Sequence, residues 1–226
     1  MAAILDASST SAPGNTSNLS WTHALGSLSD IGLIIVATEA ENNTDNITSA
    51  TFNGVTMTQV VTNGSVSGSG NFVKMFELHG ADVPSAGNYT VTVTYSAFDG
   101  TTNSRVGGCA SFKGIKGQAA EATASINANG TTPLAVAITT VTRDALVVSA
   151  YGSQNSDPSP SSSTGDTHIV TRRPDSGELS TFSMFYKIVT IPASNNVSLT
   201  VANPEAEALI LASFASSIEG MMVWDI

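Results

Sequence analysis

The chain has 226 residues and a formal net charge of −10, but only 12% of its residues are charged. A hydrophobic fraction of 41% is enough to build a large core, which excludes a wholly disordered chain. Eight Lys and Arg residues against eighteen Asp and Glu argue against nucleic acid as the main partner, because phosphate binding needs clustered basic side chains.

The single cysteine, Cys109, excludes an internal disulfide framework and argues against a cysteine-rich zinc site. No apolar run approaches the ~20 residues of a membrane span, so we expect no membrane partner. Residues 1–6 lack the basic and long apolar regions of a secretory signal, and we expect no such signal here.

Strand signals dominate the chain, whereas Gly, Ser, Thr and Asn interrupt every stretch that might form a helix. The expected strands are 2–7, 18–24, 33–37, a hairpin at 50–61, 71–78, 88–95, 105–112, 134–141, 145–149, 168–172, 179–189, 196–201 and 206–213. So many strands with no helix between them predict an all-β sandwich or barrel.

Three of these stretches carry the clearest patterns. Residues 88–95 alternate Tyr or Val with Thr, which predicts one face on a core and a threonine face outward. Residues 33–37 and 145–149 are continuous apolar runs, typical of central strands buried on both faces. The Asn53-Gly54 pair predicts the turn of the hairpin.

The two halves of the chain resemble each other. Three segments match in the same order: 30–39 with 143–151, 74–93 with 183–201, and 109–115 with 211–218. The halves, about 18–115 and 133–218, could be two small β domains in tandem or one sandwich to which each half donates alternate strands. Because a small β domain without a disulfide or metal has a thin core, we favour a single domain over 1–218 with interleaved strands, followed by an apolar tail at 219–226.

No residue pattern indicates catalysis, a cofactor or a metal site. His23, His79 and His168 have no metal-ligand spacing, and we expect His23 to point outward beside a core Trp21. We expect Cys109 to be a small buried apolar residue.

Acidic residues offer one further pattern. Glu39 and Glu41 have the spacing of a glycosidase pair on one strand, and with Asp45 they offer oxygen ligands for Ca²⁺, but a solvated acidic loop explains them more simply.

The C-terminus is unusually apolar for a chain end, which is normally polar. We therefore expect the tail to be buried against its own sandwich or in a neighbouring subunit. In the second case its anchors in an assembly contact would be Met221, Met222, Val223, Trp224 and Ile226.

Several of the expected strands also carry a family resemblance. They read LSWTH at 19–23, the apolar strand at 33–37, ATFNGVTM at 50–57, NYTVTV at 88–93 and ASFKGI at 110–115. In this order they resemble the jelly-roll β-sandwich modules of bacterial surface proteins and of tailed-phage virion proteins, including head decoration (cement), tail and fibre components. The resemblance covers about 18–218 and implies a scaffold without implying an activity.

On this basis we expect a jelly-roll-like antiparallel β-sandwich that acts as a non-enzymatic virion structural protein. Its role would be capsid decoration, with the major capsid protein or other virion proteins as partners and a homo-oligomer, a trimer, as the assembled form. It would join the virion in the host cytoplasm. The alternative is a carbohydrate- or receptor-binding module of a phage tail or fibre or of a bacterial surface protein, located extracellularly, with its site in the loops at 63–71 and 153–166. A glycosidase acting through Glu39 ranks third.

Overall fold

The computed structural model describes residues 3–14, 16–26, 31–41, 45–64, 71–96, 105–153, 160–172, 181–202 and 205–217. These ranges are almost entirely β-structure, with a single 3-10 turn at Gly80–Asp82 and no α-helix among them. All pairings between the strands are antiparallel. The expected all-β, jelly-roll-like sandwich architecture with two similar halves is confirmed.

The first half of the chain forms two sheets. Its strands are β1 (Ile4–Thr10), β2 (Asn18–Leu25), β3 (Ile31–Glu41), β4 (Ile47–Phe52), β5 (Val55–Thr56), β6 (Thr58–Gly64), β7 (Asn71–His79), β8 (Gly87–Tyr95) and β9 (Arg105–Lys113). The larger sheet has the order β1-β9-β3-β7-β6, and the smaller has the order β2-β8-β4-β5.

The second half repeats this plan. Its strands are β10 (Ala122–Ala128), β11 (Leu134–Thr139), β12 (Ala145–Ser153), β13 (Ser161–Ser162), β14 (Thr167–Arg172), β15 (Thr181–Val189), β16 (Ser194–Thr200) and β17 (Glu207–Phe214). The larger sheet has the order β10-β17-β12-β15-β14, and the smaller has the order β11-β16-β13. Apart from β5, which has no counterpart among the described strands of the second half, this is the order of the first half, so the sequence duplication is also a duplication of topology.

The four sheets stack as four layers with three apolar cores between them. One core lies between the two sheets of the first half, and another between the two sheets of the second half. The third lies between the two larger sheets and contains residues from both halves. Along β3, for example, Ile34 and Val36 enter the first core, while Leu33, Ile35 and Ala37 enter the third. The continuous apolar runs of β3 and β12 are therefore buried on both faces, as predicted.

The two larger sheets meet in reversed order. The edge strand β1 contacts β14, and the opposite edge strand β6 contacts β10 and β17. Because β10 corresponds to β1 and β14 to β6, this is the arrangement that an approximate two-fold axis between the halves produces. Gly108 lies in the contact, where a Cβ would be only 2.7 Å from Cε1 of Phe182. A side chain there would collide with the opposite sheet.

Several details differ from the sequence-based expectations. The interleaving of strands between halves is wrong, because each of the four sheets takes its strands from one half. The hairpin is confirmed at β4–β5, where Thr51 pairs with Thr56, but the chain then crosses at Met57 into the other sheet as β6. Strands β10 and β13 were not expected. The alanine-rich β10 carries only a weak alternation, and β13 has two residues.

Candidate functional site

Six polar side chains come together at one edge of the first half, where β1 of the larger sheet lies beside β2 of the smaller sheet. We call them the Ser9–His23 cluster: Asp6, Ser9, Trp21, His23, Ser111 and Lys113. They come from three strands, because β9 pairs with β1 and carries Ser111 and Lys113.

His23 lies at the centre of the cluster and has no exposed surface. The prediction that it points outward is wrong. Side chains two residues apart share a face of a strand, so His23 points inward with Leu19, Trp21 and Leu25 on β2. Trp21, expected in the core, is half-buried against it.

The hydrogen bonds of the cluster fix the tautomer of His23. Ser111 donates its one hydroxyl proton to Asp6 Oδ2 at 3.1 Å, so Ser111 Oγ accepts from His23 Nε2–H at 3.2 Å. The neutral imidazole has only that one N–H, so Nδ1 is an acceptor and the hydroxyl of Ser9 donates to it at 2.8 Å. The indole N–H of Trp21 donates to Ser9 Oγ at 3.1 Å, which is compatible because a hydroxyl oxygen can accept while its own proton is donated.

A β-bulge aims Asp6 into the cluster. The register of β1 against β9 shifts between Leu5 and Ala7, which makes Asp6 the extra residue. Its Oδ2 also accepts the backbone N–H of Gly26 at 2.9 Å, and its Oδ1 lies 2.7 Å from Lys113 Nζ. A Cβ on Gly26 would be 2.4 Å from Asp6 Oδ1, so the close approach requires glycine at that position.

The cluster holds one ionised carboxylate and one neutral imidazole. Burial alone would raise the pKa of Asp6, but the bonds from Lys113, Gly26 and Ser111 outweigh it and hold that pKa below its usual value. Burial lowers the pKa of His23 to about 4, and the nearby charge of Asp6 opposes this only in part. At neutral pH His23 is therefore uncharged.

At the matching positions of the second half, all of which the structure describes, there is no such cluster. From the strand pairings, the residues that correspond to Ser9, Trp21, His23, Ser111 and Lys113 are Ala124, Leu134, Val136, Ser213 and Ala215. No bulge interrupts the pairing of β10 with β17. The hydroxyl of Ser213 is left buried without a hydrogen-bond partner. In the second half, apolar residues thus occupy most of the positions that hold the cluster in the first half.

Sequence reasoning missed Asp6, Ser9, Ser111 and Lys113, and treated His23 only as a lone histidine. A usable signal was present in the internal duplication. In the matched segments 109–115 and 211–218, Lys113 stands against Ala215, which is a polar difference on corresponding strands.

The other two histidines lie elsewhere. His79, at the end of β7, has Nε2 3.8 Å from Glu77 Oε1. His168 is exposed on β14, where it bonds Thr171 Oγ1 at 2.8 Å and its ring packs edge-on against Phe185. Within the described residues no group of three or more His, Cys, Asp or Glu side chains is placed to hold a metal ion.

Cys109 is fully buried in the first core, as expected, and burial raises the pKa of its thiol well above the usual value. Asp45 is engaged with Lys74, whose Nζ lies 2.8 Å from Asp45 Oδ2. The backbone of Glu39 and Glu41 belongs to β3. Their side chains lie outside the described part of the structure, as do residues 218–226 with all the expected tail anchors. Of the two loops expected to form a binding site, residues 65–70 and 154–159 also lie outside it.

The outer surface of the β2-β8-β4-β5 sheet is polar and uncharged at the positions that the strand register defines. Alternate residues point away from the core, and they are exposed or half-exposed. We call them the hydroxyl face: Asn18, Ser20, Thr22, Ala24, Ser49, Thr51, Thr56, Asn88, Thr90, Thr92 and Thr94. Ser20, Thr92, Thr51 and Thr56 form one row across the four strands, and Ser20 Oγ lies 3.0 Å from Thr92 Oγ1.

Comparison with models of known protein families and with curated proteins gave no match to this chain. In the described part of the chain, no helix has the length and apolar character needed to cross a membrane.

Proposed function

We propose that this protein is a non-enzymatic structural component of a phage virion, and that it decorates the head by binding the major capsid protein or other virion proteins. The observation that carries the proposal is the hydroxyl face, eleven outward positions of one sheet with no charged residue among them. The resemblance of the strand sequences to virion jelly-roll modules supports the same role.

The hydroxyl face suits burial against another protein. Moving ionised side chains out of water is far more costly than moving hydroxyl groups, which also find hydrogen-bond partners readily. The four-layer stack behind it, with three apolar cores, gives a rigid support. Many copies that each make such a modest contact would together strengthen a shell.

Purified full-length protein mixed with capsids that lack it tests the proposal by co-sedimentation. We expect saturable binding, and Thr90→Lys should weaken it by about tenfold or more, because about 1.4 kcal/mol of lost affinity is tenfold and a desolvated lysine costs at least that. Thr139→Lys is the matched control, since Thr139 is an exposed threonine on β11 of the other small sheet. Absence of binding, or equal binding by both variants, contradicts the proposal.

The same material distinguishes the alternative. Binding of a defined glycan on an array, without binding to capsids, would favour a receptor-binding module in a tail or surface protein.

We also propose that the protein assembles as an oligomer through the apolar residues near its C-terminus, which are Met221, Met222, Val223, Trp224 and Ile226. Deletion of residues 220–226 should then give a monomer, as measured by light scattering. A deletion variant that still forms oligomers and binds capsids would contradict this proposal.

A further inference from the structure

We propose that Ser9 is a nucleophilic serine activated by His23, able to attack carboxylic esters. This activity is separate from the proposed structural role, and it would make the protein more than the non-enzymatic component proposed above. It is drawn from the Ser9–His23 cluster, which the structural role does not use.

The cluster has the relative positions of a nucleophile, its base and the groups that orient the base. Ser9 Oγ lies 2.8 Å from His23 Nδ1, and the direction of the hydrogen bonds leaves Nδ1 free to take the proton of Ser9. On the far side of the ring, Ser111 and then Asp6 hold His23 in this tautomer and orientation. Ser9 and His23 are the catalytic residues, and Ser111 and Asp6 are positioning residues.

The Ser9 end of the chain of hydrogen bonds is the less buried one. Ser9 is half-exposed on the edge strand β1, whereas His23 and Ser111 have no exposed surface. The ring of His23 is thus buried, and Ser9, beside Nδ1, is the member of this hydrogen-bonded chain that reaches solvent. The indole N–H of Trp21 also points at Ser9 Oγ, where it stabilises negative charge that develops on this oxygen.

The second half indicates that the fold itself does not require the cluster. There the corresponding strands close with Ala124, Leu134 and Val136 in place of Ser9, Trp21 and His23, and without a bulge. A buried polar network is costly unless every member is satisfied, and this one needs a bulge and a glycine to satisfy Asp6. Its presence in one half only is the reason to assign it a chemical role.

The reaction balances with water as the second reactant. Ser9 Oγ forms a bond to the carbonyl carbon of the ester while its proton moves to His23 Nδ1. The bond from that carbon to the alkoxy oxygen then breaks, and the leaving alcohol takes the proton. Water attacks the acyl group on Ser9 with His23 accepting its proton, the carboxylic acid leaves, and the proton returns to Ser9 Oγ.

Labelling of the full-length protein with a fluorophosphonate tests the nucleophile. This probe phosphonylates an activated serine and releases fluoride. We expect a single adduct, mapped to Ser9 by peptide mass spectrometry, and slow hydrolysis of p-nitrophenyl acetate that the adduct abolishes. Ser9→Ala removes both signals. Ser8→Ala, on the neighbouring exposed serine of the same strand β1, leaves them unchanged.

The base is tested with His23→Val, which places the second half's residue at the matching position, and with His23→Gln as a second variant if the first unfolds. Both should slow labelling of Ser9 about 100-fold or more, as expected when a general base is lost. Circular dichroism confirms that each variant is folded.

Nitrogen NMR of the His23 imidazole tests whether Asp6 is a positioning residue, because it measures which ring nitrogen carries the proton. If Asp6 only stabilised the fold, its replacement would not change this protonation. The wild-type signals should show Nε2 protonated and Nδ1 bare, and Asp6→Asn should shift this balance together with a loss of labelling. Three results would overturn the proposal. They are the absence of an adduct on Ser9, labelling of both His23 variants at the wild-type rate, and a protonated Nδ1 in the wild type. None of these results bears on capsid binding.

Discussion

Glu207, the first residue of β17, is a carboxylate with no exposed surface. Tyr151 donates a hydrogen bond to its Oε1 at 2.8 Å, and its Oε2 has no partner. Burial raises the pKa of Glu207 to about 6, although the bonds from Tyr151 and from the backbone of Thr131 act in the opposite direction. The corresponding residue of the first half is Arg105, which stacks over the ring of Tyr95. The same position in the two halves therefore carries opposite charges.

Glu207→Gln should stabilise the protein at neutral pH. The folded state favours the protonated acid, so its contribution to stability is fully present below the usual pKa of 4.5 and is lost as the pH rises through about 6. Removing the ionisation should raise the free energy of unfolding at pH 7 by up to about 2 kcal/mol and change little at pH 4. Urea unfolding at both pH values measures this, with Glu205→Gln, an exposed neighbour, as the control. A Glu207→Gln variant no more stable than wild type at pH 7 contradicts it.

His23 should make the protein less stable in mild acid. Its pKa is lowered from 6.5 to about 4, so the unfolded chain binds a proton between these values that the folded chain does not, and stability falls as the pH falls through this window. Between pH 7 and pH 4.5 the wild type should therefore lose about 2.4 kcal/mol of unfolding free energy relative to His23→Val. Comparing the two proteins cancels the opposite trend from Glu207. A difference that does not vary with pH would show that His23 is not buried as a neutral ring.

The core residues were predictable from sequence and the polar cluster was not. On β8, Val91, Val93 and Tyr95 are buried as expected, because apolar side chains at every second position of a strand mark the face that packs on the core, although Tyr89 on the same face is only half-buried. Ser9 and Asp6 look like any surface residues of a chain rich in serine, and only the pairing of β1 with β9 brings them to Ser111. Recognising the cluster needed the contact between β1 and β2, which no local pattern contains.

At the scale of elements, the β4–β5 turn shows how local chemistry sets a connection. Asn53 and Gly54 both have positive φ, 51° and 78°, which is the conformation of the tight hairpin turn that Asn-Gly favours. The pair holds Phe52 opposite Val55, and Phe52 is fully buried in the first core.

Gly54→Ala should lower the free energy of unfolding by about 1 kcal/mol, because an alanine at positive φ is strained while a Cβ there meets no neighbour. Asn53→Gly, which relieves the same strain at the adjacent residue, is the control and should be close to neutral. Thermal unfolding of the three proteins measures both changes. An effect much larger than this would mean that the turn also contacts something that the local geometry does not reveal.

The interleaved arrangement was expected from core size, and the sequence contained the reason why it is wrong. A strand buried on both faces needs a layer on each side. A two-layer sandwich covers only one face of each sheet, so the double-faced runs of β3 and β12 require four layers. The short β13 and the alanine-rich β10 could not be predicted, since their place depends on the neighbouring strand and not on their own pattern.

At the scale of the whole molecule, the third core joins the halves. It contains large side chains from both, among them Phe112 of β9 and Phe182 of β15. An interface of this kind should make the halves unfold together even though each has a core of its own.

Calorimetry should therefore show one unfolding transition whose calorimetric and van't Hoff enthalpies agree. Phe182→Ala, in the third core, should destabilise the protein by about 3–5 kcal/mol and lower the transition temperature of the whole chain. Phe52→Ala, in the first core alone, is the comparison and should cost a similar amount without splitting the transition. Two separate transitions in the wild type would show that the halves fold independently.

The approximate two-fold relation between the halves is broken inside the contact itself. Gly108 packs against Phe182, and at the matching pair of positions the residues are Ile210 and Val73. On one side of the axis a small residue, Gly108, lies opposite a large one, Phe182. On the other side the two matching residues, Ile210 and Val73, are both of intermediate size. Two copies of one half could not reproduce either arrangement, because the second half would set Phe182 against Ile210 and the first would leave Gly108 facing Val73 across a void. Covalent linkage has thus let the contact lose its self-complementarity, and each half is now shaped to recognise the other and not itself.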